Sequence, residues 1–251
     1  MKTILITGAT SGIGQACAET FAKHKYQLII TGRRKDRLNA LTEKLKKEYH
    51  AEVLPLCFDV RNFKETESAL SNLPEAFSQI DVLINNAGLA SGFGSIQNGQ
   101  ISDWEKMIDT NIKGLLYVTK VVCQGMIERK SGHIINIASI AGKEVYANGN
   151  VYCATKHAVD ALSRSMRIDM LPAGIKVTNV APGMVETEFS LVRFGGDAER
   201  AKNVYQGLQP LSAQDISTVI DMVVHLPHNL VVNDITLTPL AQASANHAIR
   251  S

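Results

Sequence analysis

Apolar positions along the chain recur in two rhythms. Short apolar runs at 3–7, 26–31, 51–58, 80–84, 133–138, 175–180 and 231–238 predict buried β-strands bounded by turn-forming residues. Between them, residues 15–24, 38–49, 63–73, 104–129, 151–171 and 212–224 repeat apolar side chains at helical spacing. In 15–24 the inward positions are Ala16, Phe21 and Ala22; in 151–171 the rhythm runs through Val151, Ala154, Ala158, Ala161 and Leu162. Ser212 is placed to cap the helix that follows it. The stretch 104–129 is expected as one long helix interrupted near Asn111 and Gly114. Asn is mildly unfavourable inside a helix, so Asn111 reads either as a bend or as a functional polar group. Residues 89–101 are rich in Gly and Ser and read as a loop, 185–209 as loop with helical material, and 246–251 as a polar tail.

Strand and helix alternate from end to end, with no internal repeat, low-complexity tract or linker. That alternation predicts an α/β fold in which a parallel sheet is covered on both faces, as a single domain spanning residues 1–251.

Composition agrees with this picture and removes several function classes. A chain of 251 residues suits one large α/β domain, although length alone permits two. Hydrophobic residues make up 45% and charged residues 20%, which is ordinary for a globular protein. A net charge of +2 is too small to make nucleic acid or an anionic membrane the main partner. No apolar run reaches the length of a transmembrane helix, and Met1-Lys2 leads straight into an apolar strand rather than a secretory leader. Cys17, Cys57, Cys123 and Cys153 are widely spaced and are expected as free thiols in a reducing, cytoplasmic compartment, with no metal site and no disulfide set. Cys153 adjoins Tyr152, but its helical neighbours suit a small packing residue. His225 and His228 bracket Leu226-Pro227, where a helix is expected to end, and no ligand pair is expected there.

Candidate chemistry begins in the first β-α-β unit. Gly8-Ala9-Thr10-Ser11-Gly12-Ile13-Gly14 lies between the first strand and the first helix. Glycines let backbone approach a pyrophosphate, and a helix N-terminus offers unpaired N–H groups at the positive end of its dipole. The spacing is G-x-x-x-G-x-G rather than G-x-G-x-x-G. The second strand ends in Thr31-Gly32-Arg33-Arg34, where an acidic residue would bind a ribose 2′-hydroxyl. Two guanidinium groups stand there instead, which favours NADP over NAD; Arg33 is the candidate for the 2′-phosphate, and Arg34 either helps or is solvated. Asn85-Asn86-Ala87-Gly88 follows the fourth strand, where its amides either stabilise the turn or touch a ligand above the strand ends. Tyr152 and Lys156 stand four residues apart and share one face of the predicted helix. A free Tyr titrates near ~10 and a free Lys near ~10.4, but a cation beside a phenol favours the phenolate and makes it a usable proton donor and acceptor.

Taken together, Thr7-Gly8-x-x-x-Gly12-Ile13-Gly14, Asp59-Val60, Asn85-Asn86-Ala87-Gly88, Asn111, Ser139, Tyr152-x-x-x-Lys156 and Pro182-Gly183 resemble the short-chain dehydrogenase/reductase family over essentially the whole chain. The resemblance implies a doubly wound Rossmann-type domain with a mainly parallel seven-stranded sheet, a nicotinamide cofactor and a Ser-Tyr-Lys site with an assisting Asn. Carried onto this sequence, Tyr152 is the general acid/base and Ser139 polarises the substrate carbonyl. Lys156 holds the nicotinamide ribose and lowers the Tyr152 pKa, and Asn111 holds a relay water beyond Lys156. Cofactor contacts are implied for Gly8, Thr10, Ser11, Gly12, Ile13, Gly14, Arg33, Arg34, Asp59, Val60, Asn86, Ala87, Gly88, Tyr152, Lys156, Pro182, Gly183, Val185 and Thr187. Asp59 would face the adenine.

A narrower resemblance joins Asn150-Val151-Tyr152, the segment 182–194 and Ala201-Lys202-Asn203-Val204-Tyr205 to the NADP-dependent 3-hydroxy acid dehydrogenase branch. That branch implies a homotetramer, a substrate lid over about residues 184–209, and serine, allo-threonine, 3-hydroxyisobutyrate or malonic semialdehyde as the class of hydroxy or oxo acid. A carboxylate needs a cation or backbone donors, and Arg193 is a lone Arg in Leu191-Val192-Arg193-Phe194; it either meets the substrate or pairs with Glu186 or Glu188 to shape the lid. A 3-oxoacyl carrier-protein reductase, a broad carbonyl reductase and a non-catalytic dinucleotide sensor are the competing readings. A sensor would be expected to lack Tyr152 or Lys156.

Overall fold

The structure is a computed structural model and describes residues 1–251. Its frame is a seven-stranded sheet of β1 (Thr3–Ile6), β2 (Gln27–Gly32), β3 (Val53–Cys57), β4 (Ile80–Asn85), β5 (His133–Ile137), β6 (Lys176–Pro182) and β9 (Asp234–Leu237), in the order β3-β2-β1-β4-β5-β6-β9. Every neighbouring pair is parallel, as strands joined by helical crossovers must be. Two short strands, β7 (Val185–Glu186) and β8 (Leu211–Ser212), pair separately and close off the segment between them.

The continuous apolar runs of β1, β4 and β5 follow from burial on both faces. Ile4, Ile6, Leu28 and Ile30 point into one core with Phe21 of α1 (Gly12–Lys23), Leu38 and Leu45 of α2 (Lys35–Tyr49), and Ile216 and Ile220 of α9 (Ala213–Val224). Leu5, Ile29 and Leu83 point into the other, against Leu70 of α3 (Phe63–Ser71), Val118, Val122 and Met126 of α5 (Leu115–Arg129), and Val159 of α6 (Asn150–Asp169). Successive strand residues thus feed opposite cores, as the pleat requires. The chain leaves β1 outward to β2 and β3, then returns to lay β4 on β1's other side. That reversal opens a crevice above the carboxyl ends of β1 and β4.

The predicted interruption in 104–129 is a turn of π-helix, Asp109–Gly114, between α4 (Ile101–Ile108) and α5. The extra residue per turn rotates Asn111 inward, where it is buried. Gly114 is required at the same place, because a Cβ there would come within 2.8 Å of Val60. Residues 185–209 contain β7, α7 (Phe189–Arg193) and α8 (Ala198–Asn203), and the last strand is shorter than the apolar run 231–238. Ser212 caps α9 in a capping box with Asp215.

On α6 the apolar stripe is not the inward face: Ala154 and Ala161 are exposed, and Val151, Ala158 and Leu162 are half-buried. The buried face carries Tyr152, Thr155, Lys156, Val159, Asp160 and Ser163. Burying these polar groups is possible because the strands beneath supply partners. Asn136 of β5 donates to Ser163 Oγ at 2.9 Å, Asn179 of β6 donates to Asp160 Oδ1 at 2.9 Å, and Lys156 Nζ donates to Ile137 O at 2.8 Å. No helix is long and apolar enough to cross a membrane.

Candidate active site

A cleft of about 800 Å³ opens above the carboxyl ends of the strands. Every residue singled out from the sequence lines it, except Gly14 and Asn111, which stand immediately behind its wall.

The glycine turn builds the floor on one side. Gly8 and Gly12 have φ of +66° and +55°, a region that favours glycine. Gly14 sits in the first turn of α1, where a Cβ would collide with the Asn86 amide and come within 2.6 Å of Gly8 O. Asn86 Nδ2 donates to Thr7 O and Gly8 O at 2.9 and 3.1 Å, and Asn85 Nδ2 donates to Thr119 and Asn136. The two amides therefore hold the turn and the strand ends, while the chain at Asn86, Ala87 and Gly88 faces the cleft. Ser11, the residue before α1, makes no side-chain cap, so the first N–H groups of the helix have no side-chain acceptor there. This cradle fits a pyrophosphate.

Two arginines stand where β2 ends, and they differ. Arg34 is engaged: its guanidinium donates to Thr10 Oγ1, Ser11 Oγ and Glu188 Oε2 at 2.7–3.1 Å. Glu188 also receives Arg37, and these hydrogen bonds hold its carboxyl below the usual range. Arg33 is half-exposed and its one ionic partner is Asp59, at 3.5 Å. Asp59 is itself gripped by Arg61, with Nη2 at 2.6 Å from Oδ2. Burial pushes the Asp59 carboxyl up, but the hydrogen bonds from Arg61 and the charge of Arg33 outweigh it and hold it low. Arg33 is thus the guanidinium free to meet a 2′-phosphate, and the donor set fits one.

On the other side stand Ser139, Tyr152 and Lys156, all buried. Ser139 Oγ accepts from Ala141 N at 3.1 Å and donates to Pro182 O at 3.3 Å. Burial, not a neighbouring charge, has the largest effect on the Tyr152 phenol. Burial pushes the phenol up and Tyr146 adds to the rise; Ser139 and Arg193 oppose it. Lys156 Nζ lies 6.0 Å from the Tyr152 ring centroid and is committed to Ile137 O. Its own pKa is lowered by burial to about 8. Asn111 is likewise committed: Oδ1 accepts from Leu89 N at 2.9 Å, and Nδ2 donates to Leu89 O and Thr155 Oγ1 at 2.8 and 3.0 Å. Its direct partners are therefore backbone and Thr155 rather than Lys156. Asn111 Oδ1 and Lys156 Nζ meet only across Gly88, where a Cβ would lie 3.4 and 3.5 Å from them.

The cation nearest the Tyr152 ring centroid is Arg193, at the end of α7. Its guanidinium carbon lies 5.3 Å from the Tyr152 ring centroid, 4.9 Å from that of Phe93 and 5.4 Å from that of Tyr146. Nη2 donates to Tyr146 Oη at 2.8 Å, while Nε is buried without a partner. The alternative in which Arg193 pairs with Glu186 or Glu188 does not occur, because Glu188 is taken by Arg34 and Arg37. Tyr146 and Phe93 were not expected here. Phe93 is an aromatic in a Gly- and Ser-rich loop, which is a usable signal; Tyr146 carries none. The C-terminal segment also reaches the cleft: Gln242 accepts from Met184 N at 2.9 Å, and Arg250 donates to Gln206 O at 2.6 Å. The four cysteines are free thiols.

A profile of the short chain dehydrogenase family matches residues 2–194. Over 247 residues the chain is 43% identical to a serine 3-dehydrogenase of Rhizobium radiobacter, covering 98% of this chain and 97% of that one. It is equally close, at 43% over 247 residues and 98% of each chain, to an NADP-dependent 3-hydroxy acid dehydrogenase of Salmonella typhi. The closed form of a serine dehydrogenase complexed with NADP+ superposes with a TM-score of 0.92, at 41% identity and 99% coverage of both chains.

Proposed function

The chain belongs to the short chain dehydrogenase family, and within it we propose an NADP-dependent oxidoreductase that moves a hydride between NADP(H) and a 3-hydroxy or 3-oxo acid. Serine, allo-threonine, 3-hydroxyisobutyrate and malonic semialdehyde define the substrate class. The observation that carries this reading is the Arg193 side chain in the wall of the cleft, its guanidinium carbon 5.3 Å from the Tyr152 ring centroid. No carboxylate of the chain pairs with this guanidinium, and a substrate carboxylate supplies a charged acceptor for it. The names of the relatives, serine and 3-hydroxy acid dehydrogenases, support the same class.

When bound, the cofactor supplies or accepts the hydride. The chain's own residues do the rest. The Gly8–Gly14 turn and the N-terminus of α1 hold the pyrophosphate, Arg33 takes the 2′-phosphate, and Lys156 orients the ribose next to the reacting carbon. Arg193 fixes the acid's carboxylate, and Ser139 Oγ hydrogen-bonds the reacting oxygen. Tyr152 Oη gives its proton to that oxygen in the reductive direction and takes it back in the oxidative one. Because burial raises the phenol, Tyr152 is protonated and ready for reduction at neutral pH. Oxidation needs that rise offset, and the Ser139 hydrogen bond and the Arg193 cation at the ring both oppose it. The exposed small residues Ala154 and Ala161 on α6 suit a close helix contact in the homotetramer we also propose. The free thiols suit a cytoplasmic location.

The test compares wild type and Arg193→Ala with NADP across serine, the threonine isomers, 3-hydroxyisobutyrate and neutral secondary alcohols. The expected loss in kcat/KM is roughly 10- to 100-fold on the acids, the range of a charge-assisted hydrogen bond, and small on neutral alcohols. Equal factors on both classes would remove carboxylate recognition from Arg193.

A further inference from the structure

On the side of the molecule away from the cleft, α1 and α9 pack against each other, and each ends in a histidine. His24 follows α1 as its C-cap and His225 follows α9 as its C-cap. Asp221 lies one turn before His225 on α9. One donor atom from each of His24, Asp221 and His225 lies within 4.8 Å of the others. We propose that these three residues form a binding site for a divalent transition cation of the zinc class, bridging α1 and α9.

Four observations carry the proposal. The first is donor geometry. His24 Nδ1 is 2.9 Å and His225 Nδ1 is 3.2 Å from Asp221 Oδ1. Donors at zinc–ligand distances of about 2.0–2.2 Å stand roughly 3.3 Å apart in a tetrahedral shell, so both carboxylate–imidazole spacings are already near that value. The second is ligand chemistry, since two imidazoles and one carboxylate suit zinc and leave a fourth position for water. The third is the field. Two helix C-termini, each the negative end of a helix dipole, meet at these histidines, and each favours a cation. The fourth is the frame. His225 Nε2 lies 3.3 Å from Tyr26 Oη, which steadies the ring, while His225 Nδ1 lies 2.9 Å from the backbone carbonyl of Asp221, a contact that the ring exchanges for the ion on binding. One turn back, Thr20 Oγ1 and Ser217 Oγ share a hydrogen bond of 2.9 Å, and Gln214 Nε2 donates to Thr20 Oγ1 at 3.0 Å, which locks the two helices in register.

None of the three ligands lines the cleft, so the ion's task is mechanical. α1 starts at the glycine turn, and α9 follows β8, which pairs with β7 at the base of the lid. An ion joining the far ends of these helices ties the phosphate cradle to the lid without touching the reaction. The expectation of no metal ligands rested on His225 and His228; the fold leaves His228 out and brings in His24 from the other end of the chain.

The test uses chelator-treated, full-length protein and Zn2+ alone as the probe. Calorimetric titration is expected to show one ion per chain, and Zn2+ at about a hundredfold excess over its dissociation constant to raise Tm by about 5 °C or more. Co2+ in the same site is expected to give the visible absorption of a four-coordinate ion. His24→Gln and His225→Gln are each expected to abolish the Tm rise and the cobalt spectrum, while kcat/KM with NADP is unchanged. The Tm of each variant without metal serves as its own reference, so a change in intrinsic stability does not mimic the result. Failure of wild type to bind Zn2+, or equal Zn2+ binding by wild type and both variants, overturns the proposal.

Discussion

Replacing Lys156 by Met isolates the electrostatic cost of the buried ammonium. The folded chain lowers the Lys156 pKa from 10.5 to about 8 through burial. Between those values the unfolded chain binds more protons than the folded one, so this group makes stability rise with pH across that window. Below about pH 8 the folded protein carries the full penalty. At 1.36 kcal/mol per unit, 2.5 units correspond to about 3 kcal/mol, an order-of-magnitude figure. Raising the pH from 7 to 9.5 removes about 2 kcal/mol of it. Lys156→Met removes the penalty at every pH but also leaves Ile137 O without the Nζ donor at 2.8 Å, a loss of about 1–3 kcal/mol that does not vary with pH. The absolute change at pH 7 is therefore a balance of two similar numbers, whereas its pH dependence belongs to the ammonium alone. The assay is urea unfolding of wild type and variant at both pH values and equal protein concentration, followed through Trp104, the single tryptophan. Wild type is expected to gain about 2 kcal/mol on the variant between pH 7 and 9.5. A difference constant to within about 0.5 kcal/mol would show that Lys156 is not held as a penalised cation.

Two further substitutions separate the proposed roles. Tyr152→Phe deletes the proton donor but keeps the ring that stacks with Phe189; kcat is expected to fall about 10²–10⁴-fold with the KM for NADP unchanged, and retained activity would refute the acid/base assignment. Arg33→Ala is expected to raise the KM for NADP roughly 10- to 100-fold and leave that for NAD nearly unchanged, and equal effects on the two cofactors would remove the 2′-phosphate argument.

Most of the fold could be read along the chain because a doubly wound sheet writes itself in local pattern. Strands buried on both faces, such as Thr3–Ile6 and Ile80–Asn85, are continuous apolar runs, and the helices between them repeat at helical spacing. Helix α6 shows where that rule stops. Apolar periodicity finds the buried face only when the surface beneath is apolar. Under α6 the strands present Asn136 and Asn179, so the polar side chains turn inward and the alanines turn out. The sequence carries both asparagines, but nothing local says that they face the same helix.

The site divides along the same line. Gly8, Gly12, Tyr152 and Lys156 were legible because their pattern depends on neighbours in the chain: a turn that needs positive φ, and a phenol and amine one helical turn apart, whereas Ser139 stood out only through the family resemblance. What was not legible depends on encounters between distant segments. Arg193 meets Phe93 and Tyr146 from two loops, and Glu188 of the lid crosses to Arg34 and Arg37 behind β2. The spacing of Tyr152 and Lys156 also does not fix where their polar ends go. Four residues place the two side chains on one face, but Lys156 Nζ leans to the carbonyl of Ile137 and stands 6.0 Å from the phenol ring. Burial and Tyr146 push the phenol up, and Ser139 and then Arg193, a residue 41 positions away, oppose them; on the proposed reading, substrate carboxylate and phenol address the same guanidinium. On that proposed reading, a carboxylate drawn onto Arg193 would weaken that cation's pull on Tyr152, keep the phenol protonated while a 3-oxo acid is bound and favour its use as an acid.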